Sequence, residues 1–139
     1  MRPIYLASQS PRRRQLLDQL GVAHELLLPE PHEDAEALEA TREGEAPAAY
    51  AQRVTRAKLE AAEQRRVRLG LPERRILCAD TTVALGERIL GKPADAQEAV
   101  AMLRALSGRV HEVHSAVALA DGAQRREALS SSRVWVAEL

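Results

Sequence analysis

Ile4-Tyr5-Leu6-Ala7-Ser8-Gln9-Ser10-Pro11-Arg12-Arg13 is the stretch that decides the fold. Its first four residues are a short apolar run, which suits a buried strand. Ser10 and Pro11 then supply a helix start. A serine oxygen can accept from a free N–H of the first turn, and proline loses nothing where no intrahelical donor is needed. Leu16, Leu17 and Leu20 follow at helical spacing, and Gly21 supplies the stop. The chain therefore opens as strand, tight turn and helix.

Outward from that opening, Val22 to Leu28 reads as a second strand, and Pro29 to Gly44 as an acidic loop carrying Glu30, Glu33, Asp34, Glu36 and Glu39. Pro47 begins a long helix to about Leu69, with Tyr50, Val54 and Ala57 on one face. Ile76-Leu77-Cys78-Ala79 predicts a buried strand with Asp80 at its carboxyl end, and Val83 to Leu90 a hairpin around Gly86-Glu87. Asp95-Ala96-Gln97-Glu98 is a capping box opening a helix through Leu106. Val110 to Ala120 and Arg125 to Ala137 are strand-like runs joined around Asp121-Gly122. This order predicts an α/β (mixed α+β) fold, a mixed sheet flanked by helices.

At 139 residues the chain fits one domain, 1–139. Hydrophobic residues are 45% of it, but 25 are Ala and none is Phe, so the expected core is thin. Twenty basic residues against twenty acidic ones leave no net field toward a nucleic-acid backbone or an anionic membrane. The single cysteine, Cys78, excludes an internal disulfide and a cysteine zinc cage, and reads as a small core residue. No apolar run approaches the roughly 20 residues of a membrane span, and Met1-Arg2-Pro3-Ile4-Tyr5-Leu6 turns polar too soon for a secretory signal. A soluble, cytoplasmic protein is the expectation.

Ser8-x-Ser10-Pro11-Arg12-Arg13 can bring free helix N–H groups, two hydroxyls and two guanidinium forks to one point, which suits a phosphate. A capped helix with solvated arginines is the other reading. Asp80 followed by Thr81 can face a cleft, hold a divalent cation or orient water, or merely form a turn. Glu33 or Asp34 could add an oxygen ligand from a loop that otherwise reads as surface. The basic side comprises 18 Arg and only two Lys, Lys58 and Lys92. A lysine kept in such a chain suits a place where a compact point charge works and a guanidinium does not, polyphosphate being the usual target. Against this, Lys58 on a helix also fits a solvated face. His24, His32, His111 and His114 form no zinc pair, and His111 and His114 face opposite sides of their strand.

Taken together, Leu6-Ala7-Ser8-Gln9-Ser10-Pro11-Arg12-Arg13, Lys58 in Arg56-Ala57-Lys58, Cys78-Ala79-Asp80-Thr81, Gly91-Lys92-Pro93 and Leu103-x-x-Leu106-Ser107-Gly108 with His111 and Val113 resemble the Maf family of nucleoside triphosphate pyrophosphatases. The resemblance implies a mixed sheet around a nucleotide cleft, and metal-dependent attack of water on the α-phosphate that releases a monophosphate and pyrophosphate. It implies Ser8, Ser10, Arg12, Arg13 and Thr81 as substrate-binding residues, Asp80, Lys58 and Lys92 as catalytic residues, and Glu33 with Asp80 as ligands of Mg²⁺ or Mn²⁺. Pro11-Arg12-Arg13 with Ala79-Asp80-Thr81 resembles the branch acting on dTTP and UTP rather than the 7-methyl-GTP branch.

The family resemblance also links such proteins to septum formation. It implies a further helix and a Gly-Ala-x-Tyr-x-Ile-Gln-Gly type loop after the hairpin, so the expectation is a C-terminally incomplete domain whose last strand, bearing Trp135, needs a neighbour. A homodimer is a candidate assembly; nucleic acid and membrane are not expected as partners, although Arg65, Arg66, Arg68, Arg74 and Arg75 make nucleic acid a distant alternative. The competing function is a non-catalytic nucleotide-binding or division-regulating module.

Overall fold

The computed structural model describes residues 2–139. Strand β1 (Ile4–Leu6) leads into helix α1 (Pro11–Gln19), then β2 (His24–Leu26). After a 3-10 turn at Glu36–Glu39 come α2 (Pro47–Arg68), β3 (Ile76–Leu85), β4 (Arg88–Leu90), α3 (Ala96–Leu106), β5 (Val110–Asp121) and β6 (Gln124–Trp135). The sheet runs β2-β1-β3-β5-β6, with β4 attached to β3. β1 is parallel to β2 and β3; β3 is antiparallel to β4 and β5, and β5 to β6. The expected mixed sheet with helices is therefore the fold.

Side-chain alternation explains how the sheet is covered. Ile76, Cys78, Thr82 and Ala84 of β3, and His114, Ala116, Ala118 and Ala120 of β5, are buried on the face that α2 crosses. From α2 the stripe Ala51, Val54, Thr55, Leu59, Ala62 and Arg65 meets them. Six of the sixteen buried apolar residues are Ala, which lets helix and sheet approach closely but leaves little apolar area per residue. Burial pushes the Cys78 thiol up to about 12, so it behaves as a core side chain. Among the described residues no helix is long and apolar enough to cross a membrane.

Several elements depart from the sequence-based expectation. β3 does not stop at Asp80. Thr81 and Thr82 are β-branched, and β5 offers partners as far as Ala84↔Glu112, so strand continues through both. Helix α1 buries only Leu17; Leu16 is 48% and Leu20 74% exposed, because among the described residues no element packs over that side. β2 is shorter than predicted, its length set by the three residues of β1 that pair with it. The hairpin turns stand where glycine allows positive φ, at Gly86 (63°) and Gly122 (60°).

The topology leaves a notch. β1 pairs with β3 as far as Leu77, and β4 joins the same edge only at Val83. Between them, residues 78–82 of β3 have no strand partner on that side among the described residues, an open edge of roughly 16 Å at strand rise. α1 begins beside it, at the carboxyl end of the parallel strand β1.

Candidate active site

Two clusters meet at this notch, joined by consecutive residues of β3. On one side Ser10 caps α1, its Oγ accepting from the Arg13 N–H at 3.4 Å. Ser8 Oγ accepts from the Ser10 N–H at 3.2 Å and from Arg13 Nη1 at 3.1 Å. Arg13 Nη2 reaches Thr81 Oγ1 at 3.3 Å, and Thr81 Oγ1 lies 3.4 Å from Ser115 Oγ. Arg13 is thus held by hydroxyls of two elements, and among the described residues it has no carboxylate partner. Its charge remains available to an anion.

On the other side Lys58 Nζ donates to Asp80 Oδ1 at 3.2 Å and to Glu39 Oε1 at 2.8 Å. Lys58 lies one turn from Val54, on the sheet-facing stripe of α2, which overturns the solvated-face reading. Burial works against its ammonium, but the Glu39 and Asp80 carboxylates outweigh that and hold its pKa above the ordinary lysine value. Because successive strand residues project to opposite faces, Asp80 looks toward α2 and Thr81 toward α1 and Ser115. Both clusters border the open edge of β3 at residues 78–82.

Other expected site residues stand apart. Arg12 and Lys92 are exposed, at the start of α1 and just beyond β4. Glu33 is not brought to Asp80. Arg65, only 3% exposed, grips it through Nε at 2.8 Å and Nη2 at 2.7 Å, Arg68 adds a contact at 3.0 Å, and the Glu30 N–H donates at 2.8 Å. That clamp lowers the Glu33 pKa to about 2, chiefly through the Arg65 hydrogen bond, and leaves it tied to guanidinium groups rather than open to a cation. The distance in sequence hides this pairing. Arg68, Arg74 and Arg75 likewise face Glu30, Glu25 and Asp121, so most of the arginine run read as a nucleic-acid candidate is matched by acid.

Among the described residues no group of three or more His, Cys, Asp or Glu side chains is arranged to hold a metal ion. Asp80 and Glu39 nevertheless share one ammonium, and carboxylates in ones and twos are what Mg²⁺ accepts beside water and substrate phosphates. Glu39 and Ser115 are the members that sequence reading missed. No local motif marks either; both are found only once the acidic loop lies on α2 and β3 pairs with β5.

Residues 3–139 match the sequence model of the family described as Maf-like protein. The chain belongs to the Maf family. This Maf-family chain is 60% identical over 136 residues to a dTTP/UTP pyrophosphatase of Polaromonas sp. (strain JS666), covering 98% of the chain and 67% of that relative. With a dTTP/UTP pyrophosphatase of Albidiferax ferrireducens it shares 61% identity over 131 residues, 94% of the chain and 66% of the relative. The chain spans about two thirds of the length of these curated relatives. A solved nucleoside-triphosphatase / dITP/XTP pyrophosphatase of Mycobacterium abscessus is a distant likeness, with 16% identity, a TM-score of 0.48, and coverage of 95% of this chain and 72% of that one.

Proposed function

We propose that this Maf-family protein is a nucleoside triphosphate pyrophosphatase that hydrolyses dTTP and UTP to the monophosphate and pyrophosphate. The carrying observation is Arg13, charged, held by the hydroxyls of Ser8 and Thr81, and joined through Thr81-Asp80 to the Lys58 ammonium. The names of the relatives support the choice of pyrimidine nucleotides.

In this reading the triphosphate lies along the open edge of β3. Arg13, with the Ser8, Ser10 and Thr81 hydroxyls and the first turn of α1, binds phosphate oxygens. Asp80 orients a water molecule and takes its proton as the water oxygen bonds to the α-phosphorus. The bond from that phosphorus to the bridging oxygen breaks, and its electron pair leaves with pyrophosphate. Lys58 and Arg13 offset the charge that builds there. Arg12, in the first turn of α1, and Lys92, just after β4, are exposed and would add positive charge toward the triphosphate. A divalent cation, Mg²⁺ or Mn²⁺, would be held by Asp80 with Glu39 nearby, and would supply charge neutralisation at the phosphates. Asp80 rather than Glu33 is the ligand this arrangement favours, since Glu33 is bound to Arg65.

The test is a product analysis with dTTP, UTP and purine nucleotides in the presence of Mg²⁺. Monophosphate and pyrophosphate in equal amounts, formed fastest from dTTP and UTP, are expected. Orthophosphate as the product, or nucleotide-dependent thermal stabilisation with no turnover, would reject the proposal.

A further inference from the structure

We propose that Glu39 is a positioning residue of this site, holding the Lys58 ammonium against Asp80. The inference rests on the pyrophosphatase reading above. A lysine carries its charge on a flexible four-carbon stem, so one contact leaves it free to swing. Lys58 has two, to Glu39 at 2.8 Å and to Asp80 at 3.2 Å. An ammonium has three donors, and this arrangement leaves one for a phosphate oxygen.

Glu39 is itself anchored. Its carbonyl accepts from the hydroxyl of Tyr50, a residue 8% exposed. The carbonyl of the next residue, Ala40, accepts from Arg53 Nη2 at 2.8 Å. Arg53 is in turn fixed by two bonds to Glu45, at 2.8 and 2.9 Å, and lies 5.5 Å over the Tyr50 ring. Tyr50 and Arg53 precede Lys58 on α2 by eight and five residues, roughly 12 and 7.5 Å along the axis. The loop is therefore tied to the helix that carries Lys58, upstream of it, and the Glu39 carboxylate reaches forward to the ammonium. The Arg65 and Arg68 grip on Glu33 and Glu30 ties the same loop further along.

The composition makes a direct test available, because Lys58 and Lys92 are the only lysines in the chain. Competitive acetylation of the folded protein, with each lysine peptide quantified by mass spectrometry, reads Lys58 against exposed Lys92 as an internal standard. Glu39→Ala should raise the Lys58:Lys92 labelling ratio severalfold. Glu39→Gln, which keeps an acceptor, should raise it less, and Glu36→Gln, on the same turn, should leave it at the wild-type value. In turnover, Glu39→Ala should lower kcat by about 10²-fold, the scale of a misplaced group, with KM changing far less; Glu39→Gln should restore part of the loss. Circular dichroism melting confirms that each variant is folded. An unchanged labelling ratio in Glu39→Ala, or an unchanged kcat, would overturn the proposal. A wild-type chain that releases no pyrophosphate from any nucleotide would reject the pyrophosphatase reading instead, and the labelling ratio would still decide whether Glu39 holds Lys58.

Discussion

Replacing Arg65 with Met should be among the most destabilising single changes in this protein. Arg65 donates Nε and Nη2 to the two oxygens of Glu33 and Nη1 to the Leu27 carbonyl at 2.7 Å. Removing one partner of a buried charge pair costs about 3–5 kcal/mol. Glu33 keeps Arg68 and the Glu30 N–H, and its side chain is 16% exposed, so part of its hydration returns and the lower end applies. The Leu27 carbonyl loses a buried donor, worth about 1 kcal/mol or more, while methionine refills most of the volume and offsets that loss. A net loss of about 3 kcal/mol follows, roughly 10 °C in Tm for a chain of this size. Urea unfolding followed by circular dichroism at neutral pH measures it. A double-mutant cycle with Glu33→Gln should show the double variant losing clearly less than the sum of the singles. A loss under about 1 kcal/mol, or simple additivity, would refute the claim that this clamp fastens the acidic loop.

The same clamp sets an acid limit. In the folded protein the Glu33 pKa is held at about 2, below the ordinary glutamate value of 4.5, so its contribution is present above the unfolded pKa and is lost as pH falls through that window. The urea midpoint should drop between about pH 5 and pH 2, and Glu33→Gln should flatten that part of the curve; an identical pH dependence in the variant would contradict the assignment. Asp80→Asn should abolish most turnover while nucleotide binding, measured by calorimetry, changes little, because the shape is kept and the proton acceptor is lost; comparable turnover would remove Asp80 from the chemistry. Arg13→Ala should weaken both nucleotide binding and kcat, the rate by about 10² or more, and an effect confined to stability would reduce Arg13 to a structural role. Lys92→Arg should impair turnover although the charge is kept, because a compact ammonium acts at that position; full activity would refute that role.

The opening of the fold was legible because its signals are local. Ser10, Pro11 and Gly21 each act within one turn, and the glycine of Gly122-Ala123 makes a two-residue hairpin possible wherever the flanking strands run. The rarity of lysine marks Lys58, with Lys92, from composition alone. What stayed hidden depended on distant partners. Thr81-Thr82 resembles a boundary until β5 is placed beside it, and Leu16 and Leu20 have the periodicity of a buried face that no element covers here. The acidic loop read as a solvated surface because Glu33 and Arg65 are 32 residues apart, and Glu39 and Lys58 are 19 apart, beyond any helical or strand period. Both the acidic loop and the family resemblance offer Glu33 as a metal ligand, whereas the geometry ties it to Arg65.

In the proposed reaction this site directs water to the α-phosphorus. Turnover of dTTP in ¹⁸O-labelled water, with both products analysed by mass spectrometry, tests it most directly. One labelled oxygen in the thymidine monophosphate and none in the pyrophosphate is the predicted result; label in the pyrophosphate, or release of orthophosphate, would contradict it.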